Sequence, residues 1–167
     1  MKPRSAADAS SVLREGQAAP DFELETTGAR SVRLSGFRGR WVALYFYPKD
    51  QTPGCTQEAC DFRDASARFA DAGAVVLGVS PDMPASHERF TSKYGLPFPL
   101  LCDPGAKTAE AYGLVKRKSL YGRFFMGVER TTLLIDPAGN IAKIFPKVRV
   151  RGHAGAVLDA LRELIQH

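Results

Sequence analysis

Three near-continuous apolar runs of strand length, WVALYFY (41–47), AVVLGVS (74–80) and TTLLID (131–136), constrain the fold of this chain more than any other feature. A strand with one wet face alternates apolar and polar residues, so runs without alternation suit strands covered on both faces. The segments between them supply the covers. Beyond the breaker-rich PKDQTPG, residues 53–71 carry Ala59, Phe62, Ser66 and Phe69 as a stripe of small and apolar side chains at helical spacing. A second helix is predicted from Pro84 to Tyr94, with Gly95 as its stop. A short third one follows Asp103 and Pro104, where Asp suits the N-cap and Pro the first turn. DPAGN (136–140) is turn chemistry between TTLLID and the alternating IAKIF, which predicts a hairpin. A last helix, 154–165, lines up Val157, Leu158, Leu161, Leu164 and Ile165. Residues 113–128 show no clear period and read as a loop carrying basic side chains.

Strand, helix, strand, helix, then a hairpin and a terminal helix predict an α/β fold with a mixed central β-sheet flanked by helices on both faces. This is the outline of a thioredoxin-like fold, although periodicity alone permits other three-layer α/β arrangements. At 167 residues and 44% hydrophobic content the chain can bury one core but not two comfortable ones, so a single domain over 13–167 is expected. Residues 1–12, MKPRSAADASSV, are small and polar, lack the apolar stretch of a secretory signal, and read as a flexible tail. No apolar run approaches the roughly 20 residues that span a bilayer. A soluble, cytoplasmic protein with no membrane partner is therefore expected. The net charge of +5 is uneven: Lys116, Arg117, Lys118, Arg123, Arg130, Lys143, Lys147, Arg149 and Arg151 face only Glu129 and Asp136, so this stretch carries +7 and the rest −2. Such a patch can meet nucleic acid or an acidic protein. Without a recognised nucleic-acid motif or interleaved aromatics, the simpler reading is a solvated face and no nucleic-acid partner.

Three cysteines, an odd number in a chain read as cytoplasmic, point to reactive chemistry, metal or burial rather than to a disulfide framework. Cys55 is the one placed for chemistry. It stands where a buried strand hands the chain to a helix, the kind of junction at which α/β sheets gather sites. With Thr52 as N-cap, Pro53, Gly54 and Cys55 are the first three helical positions. A sulfur in that turn lies near unsatisfied N–H groups and the positive end of the helix dipole, which favours the nucleophilic thiolate; a buried, inert thiol is the alternative. Cys60, five residues on, is turned by roughly 140° and raised by about 7.5 Å. The two sulfurs cannot meet in an intact helix, because a disulfide needs Cα atoms closer than about 7 Å. A bond between them demands that the helix start unwind: Cys55 oxidises to a sulfenic acid, the first turns melt, and Cys60 condenses with it. Cys60 as a small residue packing near Phe62 is the alternative. Zinc at the C-x4-C spacing would need two further ligands; His87, His153 and His167 are isolated and Cys102 is distant in sequence, so no metal is expected. The C-x-x-C of a dithiol oxidoreductase is absent.

The spacing P-x-x-x-T-x-x-C of Pro48, Thr52 and Cys55, within YFYPKDQTPGCTQEAC, resembles the active-site signature of the peroxiredoxins, in their bacterioferritin comigratory protein (Q-type) subfamily. The similarity runs through nearly the whole chain. APDFEL (19–24) resembles the family's opening strand, LSGFRGRWVALYFYPKD (34–50) its approach to the site, and YGRFFMGVERTTLLIDPAGNI (121–141) a later segment in which Arg130 falls at the place of the active-site arginine. The resemblance implies a thioredoxin-like fold and a thiol-dependent peroxidase that reduces hydrogen peroxide and organic hydroperoxides without metal or bound cofactor. Cys55 is then the peroxidatic cysteine and Cys60, at the position used by many Q-type members, the resolving one, with thioredoxin or a similar dithiol as reductant. Thiolate attack on a peroxide drives negative charge onto the departing oxygen, so the site needs fixed donors; the Arg130 guanidinium supplies them and favours the thiolate. Thr52 orients both partners through its hydroxyl, while Pro48 shapes the loop and shields the sulfur. Glu58 is close in sequence, but an acid that merely favours the helix dipole is the simpler account. Cys102 has no role to carry over and is expected as a buried structural thiol, His153 flanks the final helix, and His87 faces solvent. A monomer rather than a ring is implied, with a dimer left open.

Overall fold

Two short strands, β1 (Glu23–Glu25) and β2 (Ser31–Arg33), precede the first apolar run in the computed structural model, which describes residues 13–166; the tail expected over residues 1–12 lies outside the described residues. The run itself forms β3 (Trp41–Phe46). Then come α1 (Pro53–Asp71), β4 (Ala74–Ser80), α2 (Pro84–Tyr94), β5 (Leu100–Cys102), the short α3 (Lys107–Ala111), β6 (Val115–Leu120), β7 (Arg123–Val128), β8 (Thr131–Ile135), β9 (Ile141–Phe145) and α4 (His153–Gln166). Seven strands join in one mixed sheet, order β2-β1-β5-β4-β3-β8-β9, parallel across β3/β4 and β4/β5 and antiparallel elsewhere. β3 is thus held by ladders on both sides, which fixes the point at which it releases the chain toward α1.

Alternate side chains of β3 feed two cores. Ala43 and Tyr45, with Tyr47 just beyond the strand, pack with Phe62, Phe69, Phe90 and Leu161 under α1, α2 and α4. Val42, Leu44 and Phe46 pack on the other face with Leu77, Leu133, Ile135 and Tyr112, the latter just past α3. This two-sided burial is why the run shows no alternation, and a one-residue slip would exchange both sets. The inner stripe of α1 runs through Cys55, Glu58, Ala59, Phe62, Ala65 and Phe69. Ala65 takes the place expected of Ser66, which is half-buried. Helix α2 stops at Gly95, left-handed at φ 59°.

Two local expectations are corrected. Residues 113–128 contain a separate two-stranded sheet, β6 paired antiparallel with β7, not a loop. Tyr121 and Gly122 both have positive φ, 52° and 77°, the conformation of a two-residue hairpin turn. Most of both strands is exposed on both faces, so no burial period marks them in the sequence. Asp103 does not cap at Pro104, because Gly105 and Ala106 are left-handed. Its carboxylate reaches ahead to accept the N–H groups of Thr108 and Ala109 at 2.9 and 3.0 Å, capping α3 from upstream. Among the described residues, no helix is long and apolar enough to cross a membrane.

Candidate active site

Residues 48–52 carry the chain from β3 into α1, and Asp50 is the side chain that pins them. Buried, it accepts the Tyr47 hydroxyl at 2.6 Å, the Ser86 hydroxyl at 2.8 Å and the His87 Nδ1 proton at 2.7 Å, while its own N–H donates to Asp82 at 2.7 Å. His87 is wholly buried, contrary to its expected exposure, and its Nε2 faces the Leu101 carbonyl at 3.0 Å. Its two ring nitrogens thus face oxygen atoms on both sides, the Asp50 carboxylate and the Leu101 carbonyl. Burial pushes the Asp50 carboxyl up, but the hydrogen bonds from His87, Tyr47 and Ser86 and the charge of His87 outweigh it and hold the group below the ordinary carboxylate range. Immediately beyond this anchor, Gln51 is left-handed at φ 60°, a conformation that stores strain in a non-glycine residue.

Pro53 then opens α1, with Thr52 at the N-cap position in extended backbone. Its side chain does not cap the helix as expected; the hydroxyl donates back to the Lys49 carbonyl at 3.0 Å. The N–H groups that a helix start leaves without intrahelical partners are thus not taken up by the Thr52 side chain. One turn in, Cys55 lies on the inner stripe, buried to 1% exposure yet not in pure hydrocarbon. Arg130, between β7 and β8, places Nη2 at 3.3 Å from the Cys55 sulfur and Nη1 at 2.6 Å from the Glu58 carboxylate. Glu58 is therefore a buried partner of the guanidinium rather than an acid that merely favours the helix dipole. Burial pushes it up to about 7, against the pull of Arg130. Gly54 permits this approach: a Cβ there would stand 3.2 Å from Arg130 Nη2.

The other predicted residues fall around this cluster. Pro48 and Lys49 line a groove of about 370 Å³ with β6 and β7. Cys60 is half-buried on another side of α1, and all three cysteines are free thiols. Cys102 is buried, and burial aided by the charges of Glu25, Asp50 and Asp82 pushes its thiol up to about 11. His153 starts α4, is buried, and lies 2.7 Å from the Thr132 hydroxyl; burial and the charge of Arg130 push it down to about 4. The C-x4-C spacing gathers no metal-ligand set among the described residues. The three potential ligands that do converge, Asp50, Asp82 and His87, are engaged with one another and with their neighbours. Sequence reasoning missed Glu58, Asp50 and His87. The available signals were spacings: Glu58 lies three residues from Cys55 on the inner stripe, and His87 three residues from the buried Phe90.

The chain is similar to known proteins over most of its length. Residues 15–144 match the AhpC/TSA family. Peroxiredoxin Bcp of Bacillus subtilis is 48% identical over 149 residues, covering 89% of this chain and 95% of that one. The Xanthomonas campestris bacterioferritin comigratory protein, described for its alkyl peroxide reduction activity, superposes with a TM-score of 0.85 at 39% identity, covering 91% of this chain and 99% of that one. A cysteine-to-serine mutant of Xylella fastidiosa PrxQ gives a TM-score of 0.86 at 36% identity, covering 92% and 98%.

Proposed function

The chain belongs to the AhpC/TSA family and, within it, to the Bcp or Q-type peroxiredoxins, which are thiol peroxidases; from that premise we propose that it reduces hydrogen peroxide and organic hydroperoxides through Cys55. The observation that carries this reading is the guanidinium of Arg130, 3.3 Å from the sulfur and backed by Glu58. A fixed cation there is poised to meet the negative charge that grows on the departing oxygen. The thiolate attacks one peroxide oxygen, the O–O bond breaks, and the leaving alkoxide or hydroxide takes a proton, so that sulfur is oxidised to a sulfenic acid and the peroxide is reduced by two electrons. The alkyl peroxide activity described for the Xanthomonas protein supports extending the substrates to organic hydroperoxides. Thr52 and Pro48 shape the mouth of the site, and the chemistry as read needs no metal or bound cofactor.

Cys60 is the proposed resolving thiol. It attacks the sulfenic sulfur and expels water, leaving a Cys55–Cys60 disulfide. Because five helical residues separate the two, the first turn of α1 must unwind. The anchored Asp50 and the left-handed Gln51 mark where that unwinding would begin. Thioredoxin or a similar dithiol then reduces the disulfide, giving back both thiols and becoming oxidised itself. A reducing compartment such as the cytoplasm and a monomeric state go with this reading.

The test is the intact mass after one equivalent of hydrogen peroxide. Loss of two hydrogen atoms with a peptide bridge mapped between Cys55 and Cys60 is expected, and Cys60→Ser should consume one equivalent and then stop turning over with thioredoxin. A bridge to Cys102, or full thioredoxin-coupled turnover by Cys60→Ser, would overturn the resolving role.

A further inference from the structure

The β6–β7 ribbon stands apart from the seven-stranded sheet, and nothing in the described fold covers its outer part. Only its base is built in, where the paired Val115 and Val128 pack against the core. Beyond that pair, Leu120, Tyr121, Phe124, Phe125 and Met126 are 48–95% exposed, and they are five of the seven exposed large hydrophobic side chains among the described residues. Monomeric proteins seldom leave such a concentration uncovered unless it binds something. A two-stranded ribbon without a backing layer is also only marginally stable in water.

Its charges narrow what it binds. Lys116, Arg117, Lys118 and Arg123 lie on these two strands with no acidic residue between 115 and 128. The register puts Arg117, Met126 and Phe124 on one face and Lys118, Phe125 and Arg123 on the other, with the Arg117 guanidinium 3.9 Å from the centre of the Phe124 ring. The aromatic interleaving that the sequence reading found wanting is thus present on the folded ribbon. A two-fold pairing with a second copy would set these cations against one another with no acid in the ribbon to offset them. An acidic, partly apolar protein surface is the complement.

Position names the partner. The groove that holds Pro48 and Lys49 is closed on its other side by Lys118, Phe125 and Met126, and the chain that leaves β7 at Val128 reaches Arg130 two residues on. A protein seated on the ribbon is therefore brought to the mouth of the Cys55 site. We infer that the β6–β7 ribbon is the docking surface for an acidic protein dithiol that reduces the oxidised enzyme, an inference that rests on the peroxidase reading above.

The experiment compares peroxide turnover driven by dithiothreitol with turnover driven by a negatively charged thioredoxin, in wild type, in the double variant Arg117→Glu with Arg123→Glu, and in Phe124→Ser. Dithiothreitol-driven turnover should be equal in all three. Thioredoxin-driven kcat/KM should fall by roughly tenfold or more in both variants, through KM, a loss of about 1.4 kcal/mol or more. In wild type it should also fall with added salt, while the dithiothreitol rate does not. Unchanged thioredoxin kinetics in the variants, no salt dependence in wild type, or no thioredoxin-driven turnover beside normal dithiothreitol turnover would each overturn the inference. So would an oligonucleotide shift or a doubled sedimentation mass that the variants abolish while thioredoxin kinetics stay unchanged. Absence of peroxide consumption by wild type even with dithiothreitol would instead sink the peroxidase reading itself.

Discussion

Replacing His87 with Gln isolates what the buried anchor of the active-site loop is worth. The imidazole sets Nδ1 2.7 Å from the Asp50 carboxylate and Nε2 3.0 Å from the Leu101 carbonyl. A Gln amide carries no charge and can serve only one of these two acceptors. Losing the charge-assisted bond removes about 1.5–3 kcal/mol, and leaving a buried carbonyl unpartnered costs about 1–3 kcal/mol more. Their combined range of about 2.5–6 kcal/mol brackets the roughly 3–5 kcal/mol that breaking one side of a buried ion pair typically costs. Against a total stability of about 5–15 kcal/mol this is a large fraction. Urea unfolding followed by circular dichroism measures it directly. The difference should also depend on acidity in a set direction. Asp50 is held below its ordinary value of 3.8, so its ionised form contributes fully above that value and the contribution is lost as pH falls through the lowered one. The gap between wild type and His87→Gln should therefore be full at neutral pH and shrink in that acid window. A gap below about 1 kcal/mol at neutral pH, or one indifferent to acidification, would refute the ion-pair argument.

Two further substitutions probe the cluster at the sulfur. Glu58, raised to about 7 from 4.5, contributes stability that is full below 4.5 and lost as pH rises through about 7, on the order of 3 kcal/mol. Glu58→Gln should remove this slope from the pH dependence of stability, along with any step near neutrality in the rate of peroxide reaction; persistence of both in the variant would show that another group is responsible. Gly54→Ala puts a Cβ 3.2 Å from Arg130 Nη2 and pushes the guanidinium off the sulfur. Losing part of a bond worth about 1.5–3 kcal/mol should slow stopped-flow peroxide reaction by about 3–10-fold. Helix propensity should meanwhile leave stability level or slightly higher. An unchanged rate would mean that the 3.3 Å contact does not matter.

Where burial was two-sided or punctuation strong, the fold could be read in advance. β4 and the helices at Pro53–Asp71 and Pro84–Tyr94 have the predicted limits, because continuous apolar runs, proline starts and a glycine stop leave few alternatives. The β6–β7 ribbon was illegible for the opposite reason. Its side chains point to water on both sides, and its Tyr-Gly turn is not one of the strong hairpin pairs. Around Cys55, spacing and resemblance singled out Pro48, Thr52 and Arg130 as candidates, but Glu58 was read as an acid that merely favours the helix dipole and His87 as facing solvent. Both are charged or polar residues buried only because a partner distant in sequence awaits them, Arg130 for one and Asp50 for the other. Helical periodicity places a side chain on a face; it does not say that the face holds a counter-charge.

The central claim is that Cys55, held against Arg130, is the sulfur that meets peroxide. In Cys60→Ser the sulfenic acid has no resolving partner, so adding one equivalent of hydrogen peroxide with dimedone and mapping the adduct by mass spectrometry reads out the reacting residue directly. The account predicts a single adduct on Cys55, formed much more slowly when Arg130 is replaced by Met. An adduct on Cys102 with Cys55 unmodified, or a rate indifferent to Arg130, would contradict it.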